Sequence, residues 1–371
     1  MCSERPHASM SMGHSEWPVS TVTNMNMVLI GSLPPPVGGT TVLFKQLVDE
    51  LAACPDITLQ VIDTSRTRST PVSNLFTACK SLLSMLRHIP FTDVVSFHTS
   101  VGGAWQFGLV VHLLCRAFRR KWIFRGFGGD YDVWHQQASP ISRRIFEATV
   151  LRADTLLFER QASVHYFRQR TEQPVEWYAN SRKCTSTIPA PSSRARDRAE
   201  RFVYVGHVKH EKGIGEIIEA ARLLDEGLTI DIYGPLSADI GPETLTGKNL
   251  CYKGVLAPEA VVPTLGQYDV LLLPTYWKGE GYPGVILEAY CAGLPVITTR
   301  WGGIPEIVSE RSGILIEPRN SLALADAMRT LTHSSVRMSA LRNGAALMAQ
   351  QFSSRIWTQT FLDLSRRLLN R

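Results

Sequence analysis

Residues 269–299 read DVLLLPTYWKGEGYPGVILEAYCAGLPVITT. Asp269 to Pro274 is a strand-length apolar run, Pro283 to Ala292 has the length of a short helix, and Leu294 to Thr299 is a second strand. Pro283 suits the first helical position because its missing N–H would have no intrahelical partner, and Gly293 stops the helix at its other end. A strand, a helix pinned at both ends and a further strand in close succession specify a βαβ unit, and hence a parallel sheet. In such a sheet the loop before the helix opens at the carboxyl edge of the strands, where ligands bind. The N–H groups of Gly284, Val285 and Ile286 are expected to stand unpaired there.

The same alternation runs outward in both directions. Towards the N-terminus, strands are expected at Met25 to Gly31, Ile57 to Asp63, Asp93 to His98, Lys121 to Gly126, Thr155 to Glu159 and Val175 to Ala179. Helices with apolar residues at steps of three and four fill the gaps, at Thr40 to Ala53, Asn74 to Ile89, Ala104 to Phe118, Ser139 to Leu151 and Gln161 to Gln169. Ser181 to Arg201 breaks the pattern with Ser, Arg and Pro, which marks a domain boundary. A second round begins at Phe202 to Gly206 and continues through strands Leu228 to Tyr233, Leu250 to Gly254, Asp269 to Pro274, Leu294 to Thr299 and Gly313 to Glu317. The organisation is therefore a disordered polar tail over 1–24, a Rossmann-like domain over 25–190, a second over 200–350, and a C-terminal helix over 351–371 returning towards the first domain.

Composition narrows the classes. Of 371 residues, 44% are hydrophobic and 19% charged, as in ordinary soluble chains, which excludes wholesale disorder and collagen-like repeats. No apolar run is long enough to span a membrane, and the first residues lack the apolar centre of a secretory signal, so a cytoplasmic protein is expected. The seven cysteines include no CxxC pair, so reduced, mostly buried thiols are expected, with neither a disulfide framework nor a zinc site. The net charge of +6 is concentrated. Arg116 to Arg201 holds 17 Lys and Arg against 9 Asp and Glu. That stretch is either a solvated basic face or the approach of something anionic, such as a phospholipid surface; no nucleic-acid-binding signature accompanies it. Leu75 to His88 is amphipathic with a basic flank, which fits a core helix or an interfacial one beside the basic run Arg116 to Lys121.

Four loops after strands have unusual text. Gly38-Gly39 precedes a helix and lets the backbone approach an anion, and Lys212 lies between Val205-Gly206-His207 and the next helix, where a phosphate would be held. In the quoted stretch Glu280 lies in the loop and Glu288 in the second helical turn. Two carboxylates so spaced can accept hydrogen bonds from different parts of one hydroxyl-rich ligand. In the first half, His98 ends one strand and Arg125 the next, with Gly128-Gly129-Asp130 following. A structural and a catalytic role are both open for these two.

Glu280 through Glu288, with Ala289-Tyr-Cys-Ala-Gly-Leu-Pro-Val296 after them, resembles the E-x7-E signature of glycosyltransferase family 4. Gly38-Gly39, Val205-Gly206 with Lys212-Gly213, and Trp301-Gly-Gly-Ile-Pro-Glu306 occur in the same order as in that family. The resemblance implies the GT-B fold, two facing doubly wound parallel-sheet domains with a cleft between them. It implies a retaining glycosyltransferase (hexosyltransferase-like) that moves a sugar from a nucleotide-diphosphate sugar to a saccharide or lipid-linked acceptor, in polysaccharide or glycoconjugate synthesis. By carry-over, Glu280 touches the donor sugar and Glu288 the ribose. Gly38, Gly39, Gly206, His207, Lys212, Tyr282, Gly284 and Val285 surround the diphosphate side of the donor, and Val255 and Leu256 the base. His98 and Arg125 stand on the acceptor side. No essential metal or cofactor is implied, because lysine and helix ends neutralise the leaving diphosphate. The partners the resemblance implies are the donor and the acceptor; the basic run Arg116 to Lys121 and the amphipathic Leu75 to His88 add an anionic membrane surface and a peripheral position on the inner face, and no nucleic acid is expected. Two positions depart from the family: His207 stands where an arginine is common, and Arg125 where a histidine is. A catalytically silent sugar-nucleotide-binding scaffold and a GT-B epimerase share the pattern, whereas an NAD dehydrogenase would need GxGxxG after the first strand.

Overall fold

A computed structural model describes residues 24–65, 71–184 and 198–370. The tail before residue 24 and most of the Ser/Arg/Pro segment, residues 185–197, lie outside the described residues.

The N-terminal domain carries strands β1 (Met25–Gly31), β2 (Ile57–Asp63), β3 (Val94–Thr99), β4 (Lys121–Gly126), β5 (Thr155–Phe158) and β6 (Val175–Trp177). Its helices are α1 (Gly39–Ala52), α2 (Pro71–His88), α3 (Val101–Ala117), α4 (Tyr131–Gln137), α5 (Pro140–Ala148) and α6 (Gln161–Arg168). The C-terminal domain carries β7 (Arg201–Val205), β8 (Thr229–Tyr233), β9 (Leu250–Tyr252), β10 (Val270–Leu273), β11 (Val296–Thr299) and β12 (Gly313–Ile316). Its helices are α7 (Ile214–Arg222), α8 (Val261–Leu265), α9 (Gly284–Cys291), α10 (Ser321–His333), α11 (Ser335–Gln351) and α12 (Ser354–Leu369). The strands form two six-stranded sheets, ordered β2-β1-β3-β4-β5-β6 and β12-β11-β10-β7-β8-β9, with parallel pairing throughout.

The period-two geometry of β1 separates two cores. Met25, Met27 and Leu29 face α1 and α12, whereas Val28 and Ile30 face the layer of α2, α3, α5 and α6. α12 leaves the C-terminal domain and packs on α1 and β4, burying Trp357 and Phe361 beside Tyr178. Tyr178 donates to the Trp357 carbonyl at 2.9 Å, and the Thr358 hydroxyl donates to Glu50. A buried Phe or Trp contributes ~1.5–3 kcal/mol by area, so this returning helix couples the two domains energetically.

All twelve expected strands are present, with ends moved by one or two residues where the ladder stops. The stretch expected as one helix from Ser139 to Leu151 is α5 followed by a 3-10 turn at Val150–Arg152. α4 was not expected. Its seven residues follow the glycines of the β4 loop and bury Tyr131 and His135, so tertiary packing rather than periodicity makes them helical.

Candidate active site in the interdomain cleft

The carboxyl ends of the two sheets face each other across a cavity of about 590 Å³, within the range of small-molecule sites. From the N-terminal domain it is lined by the Gly38-Gly39 start of α1, Gly128 and Glu159; from the C-terminal domain, by Gly206, His207, Lys212, Val255, Leu256 and the loop Gly279 to Val285. A second cavity of about 290 Å³ lies within the N-terminal domain and is lined by His98, Ser100, Gln106 and Phe127 among others. Thr40 lines both, so the cavities adjoin at the first turn of α1.

Lys212 ends a 3-10 turn, and Gly213 follows at φ +81°. A β-carbon there would stand 2.2 Å from the Pro274 carbonyl oxygen, so only glycine allows the turn to deliver Lys212 into the cleft. The Lys212 ammonium meets Glu280 at 2.5 Å, and the Thr275 hydroxyl donates to the same carboxylate oxygen at 2.7 Å. The Glu280 side chain is 8% exposed and that of Lys212 is 19% exposed. The sugar-side carboxylate and the phosphate-side ammonium expected from sequence are therefore direct partners.

α9 begins at Gly284 rather than Pro283, which is its N-cap. The Ile286 N–H donates to the Pro283 carbonyl at 3.1 Å, so the expectation of three unpaired N–H groups is corrected for Ile286. No side chain caps α9, whereas at α1 the Thr41 hydroxyl accepts the N–H of the N-cap Gly38 at 3.0 Å. Both N-termini present donors and positive dipole ends to one cavity.

Glu288 is the donor residue of the sequence reading that does not line the cavity. Its carboxylate is held at 2.7 Å by the Nε of Arg182, which itself lines the cavity. Arg182 is 8% exposed and its guanidinium crowds Gly284, where a β-carbon would stand 1.7 Å from an Nη. The cavity thus has a second cation, supplied by the interdomain segment. The same segment corrects the cysteine reading: Cys184 is bonded to Cys291 of α9, 107 residues away, because the chain leaving Arg182 runs along that helix. Cys54, Cys79, Cys115 and Cys251 are free.

His98 is 2% exposed and packed among Phe44, Phe127 and Phe361. Burial, then the nearby Arg125 cation, holds its pKa well below the usual imidazole value, so the ring is neutral. Its Nε2 is 2.8 Å from the Ser96 hydroxyl, while the buried Nδ1 has no protein partner. Arg125 lines neither cavity. Its guanidinium is stacked over Phe127 at 4.6 Å and Tyr178 at 4.3 Å, behind the wall that His98 forms. The acceptor-side position expected for Arg125 is corrected accordingly.

Glu159 was not singled out in the sequence. Fully buried at the end of β5, it accepts the Gly128 N–H at 3.2 Å and the Tyr282 N–H at 3.1 Å, tying the facing loops of the two domains. Burial raises its pKa against those two N–H groups and the neighbouring Asn180 and Arg125. Gly129 and Gly281 meet beside it, where a β-carbon on Gly129 would lie 2.6 Å from the Gly281 Cα. Asn180 donates to the Tyr282 carbonyl at 3.3 Å, and the Tyr282 hydroxyl donates to Glu306 at 2.7 Å. Among the described residues no group of three or more His, Cys, Asp or Glu is placed to hold a metal ion.

Residues 199–334 match the family model described as glycosyl transferases group 1. The putative teichuronic acid biosynthesis glycosyltransferase TuaC of Bacillus subtilis is 34% identical over 134 residues, 36% of this chain and 33% of that protein. A D-inositol 3-phosphate glycosyltransferase of Corynebacterium urealyticum is 24% identical over 306 residues, covering 71% of this chain and 70% of that one. The first three curated relatives are matched over only 33% to 45% of their length. Among solved structures, the sucrose-phosphate synthase of Thermosynechococcus elongatus superposes with TM-score 0.71 at 17% identity, covering 94% of this chain and all of that one. Anabaena Alr3699/HepE in complex with UDP-glucose gives 0.64 at 14%, covering 92% and 99%. The family-model match thus covers residues 199–334, and the chain as a whole shares with these solved structures the GT-B fold of two facing parallel-sheet domains.

Proposed function

We propose that the protein is a retaining glycosyltransferase that moves a sugar from a nucleotide-diphosphate sugar, held in the larger cavity, to a saccharide or lipid-linked hydroxyl in the smaller one. The observation that carries this reading is the convergence of Lys212, Arg182 and the N-terminal ends of α1 and α9 on a cavity that adjoins a neutral pocket at Thr40. Cleavage of a glycosyl phosphate bond builds positive charge on the sugar ring and negative charge on the departing diphosphate. Fixed cations and N–H groups stabilise that diphosphate without reorganising, and one such donor is worth ~3 kcal/mol, or roughly a hundredfold in rate. In this reading side chains and helix ends neutralise the diphosphate, and activity persists in a chelator. Glu280 orients the donor sugar hydroxyls beside Lys212. The acceptor oxygen attacks on the face the diphosphate leaves; the carbon–oxygen bond to phosphate breaks, and the acceptor proton passes to the departing phosphate oxygen. The unpartnered Nδ1 of neutral His98 offers the acceptor a hydrogen bond.

The relatives support a role in polysaccharide or glycoconjugate synthesis, and UDP-glucose, which the HepE structure holds, is the first donor to try. The test is release of nucleoside diphosphate from a panel of sugar nucleotides, with and without saccharide acceptors, by wild type and by Glu280→Gln. Acceptor-dependent release that falls about a hundredfold in the variant supports the proposal. Tight nucleotide binding with no transfer to any acceptor would instead favour the silent scaffold.

A further inference from the structure

The outer layer of the N-terminal domain has a face that the transfer reaction does not use. α2 packs beside α3, and both cover the sheet with their inner sides, through Met85, Ala104, Val111 and Cys115. Their outer sides are also apolar. Leu82, Leu83 and Leu86 of α2 and Trp105, Leu109 and Leu113 of α3 are exposed, Leu83 by 70% and Leu113 by 54%. Trp105, Leu109 and Leu113 recur every four residues and so form one stripe. From Val101 to Cys115, α3 contains no Asp, Glu, Lys or Arg at all. With Gln106 and His112 as its polar residues over that span, such a helix belongs in a core or against a non-aqueous phase, and this one has water on one side.

Charge selects the partner. Between residues 71 and 129 the chain has seven Lys and Arg against one acid, Asp93, which is engaged with Asn26; of the seven, Arg125 is buried and Lys121 is paired with Asp154 at 3.2 Å. Lys80, Arg87, Arg116 and Arg119 belong to the two helices or the turn that ends α3. Arg120 donates to the Pro90 carbonyl at 2.5 Å and joins the two helix ends, so Phe91, 81% exposed, and Phe118 emerge among these cations. Exposed Leu, Trp and Phe with a basic fringe complement lipid headgroups and acyl chains. Two copies of this face laid together would oppose like charges. No helix is long and apolar enough to cross a membrane among the described residues, so the contact would lie in the interface plane.

We propose that the outer face of α2 and α3 docks on an anionic phospholipid bilayer. The α3 stripe begins at Trp105, between Gly102, Gly103 and Gln106 of the smaller cavity and the basic end of the helix. Docking therefore brings the mouth of that cavity to the headgroups, where a lipid-borne hydroxyl would enter it. The docking itself rests on no step of the proposed reaction.

The test is co-sedimentation of the full chain with vesicles of equal parts phosphatidylglycerol and phosphatidylcholine, and with phosphatidylcholine alone. Wild type is expected to pellet with the anionic vesicles and to be released as salt rises towards ~1 M, where the Debye length is about 3 Å. Leu83→Glu combined with Leu113→Glu is expected to lower binding at least tenfold, as is Arg87→Glu with Arg116→Glu. Leu347→Glu, at an exposed position of α11, is expected to bind as wild type does. Unchanged circular dichroism and thermal unfolding establish that each variant is folded, and Leu83→Gln serves where a double variant is not. Absence of wild type from anionic pellets at low salt overturns the proposal. So does undiminished binding by folded patch variants, or a patch-dependent change in oligomeric mass without vesicle binding.

Discussion

Replacing Lys212 by alanine removes the cation from Glu280 and leaves a carboxylate whose side chain is only 8% exposed with Thr275 as its remaining side-chain donor. Stripping one partner from a buried ion pair costs ~3–5 kcal/mol, and because Lys212 is itself about one-fifth exposed, ~2–4 kcal/mol is expected here. Glu280→Gln is milder, since the amide oxygen still accepts from Thr275. Once Glu280 has lost its charge, removing Lys212 strands nothing. The double-mutant cycle should therefore return a coupling of about 1.5–3 kcal/mol, the range of a charge-assisted hydrogen bond. The assay is urea unfolding followed by tryptophan fluorescence. Saturating nucleoside diphosphate should add less stability to Lys212→Ala than to wild type, because phosphate replaces Glu280 as the partner of the ammonium. A coupling below ~0.5 kcal/mol would refute the argument that the pair organises the cleft, since distant, independent sites add to within that margin.

Other outcomes follow from the same geometry. Arg182→Ala should weaken nucleoside diphosphate binding about tenfold to a hundredfold in titration calorimetry, the ~1.5–3 kcal/mol of a charged hydrogen bond, and Glu288→Gln should weaken it less. His98 has a folded-state pKa below its unfolded value of 6.5, so the unfolded chain takes up the proton first and stability is lost as pH falls through 6.5; His112 and His135 are displaced in the same direction. Wild type should show an unfolding free energy falling up to ~1.4 kcal/mol per pH unit more steeply than His98→Phe below that point. Peptide mapping without reductant should find Cys184 joined to Cys291. Cys184→Ser should lower stability by ~2–5 kcal/mol, because the bond closes a loop of 107 residues.

Much of the cleft could be read from sequence because its residues sit in strand-to-helix loops, where local chemistry dictates backbone. Gly213 must be glycine to pass Pro274, and Pro283 and Gly293 bracket α9, so text alone located Lys212, Glu280 and the Gly284–Val285 N–H groups. Domain docking decides the rest. Glu159 follows a four-residue strand with no motif around it, and becomes special only when Tyr282 arrives from the other domain. Arg182 and Cys184 lie where composition changes, and nothing in a Ser/Arg/Pro stretch tells which residue will lie along α9. Arg125 misled for the same reason: a cation at a strand end points to chemistry, yet the returning chain at Tyr178 seals it beneath the cavity wall. The outer face of α3 was legible as an apolar helix but not as an uncovered one, since periodicity cannot report what packs outside a helix.

The most direct test of the central claim is titration calorimetry of UDP, GDP and ADP and their glucose conjugates against wild type and Lys212→Ala. One nucleoside diphosphate family should bind wild type, with affinity falling at least tenfold in the variant. Binding of none of them, or binding that ignores Lys212, would contradict the assignment of the interdomain cavity as a sugar-nucleotide site.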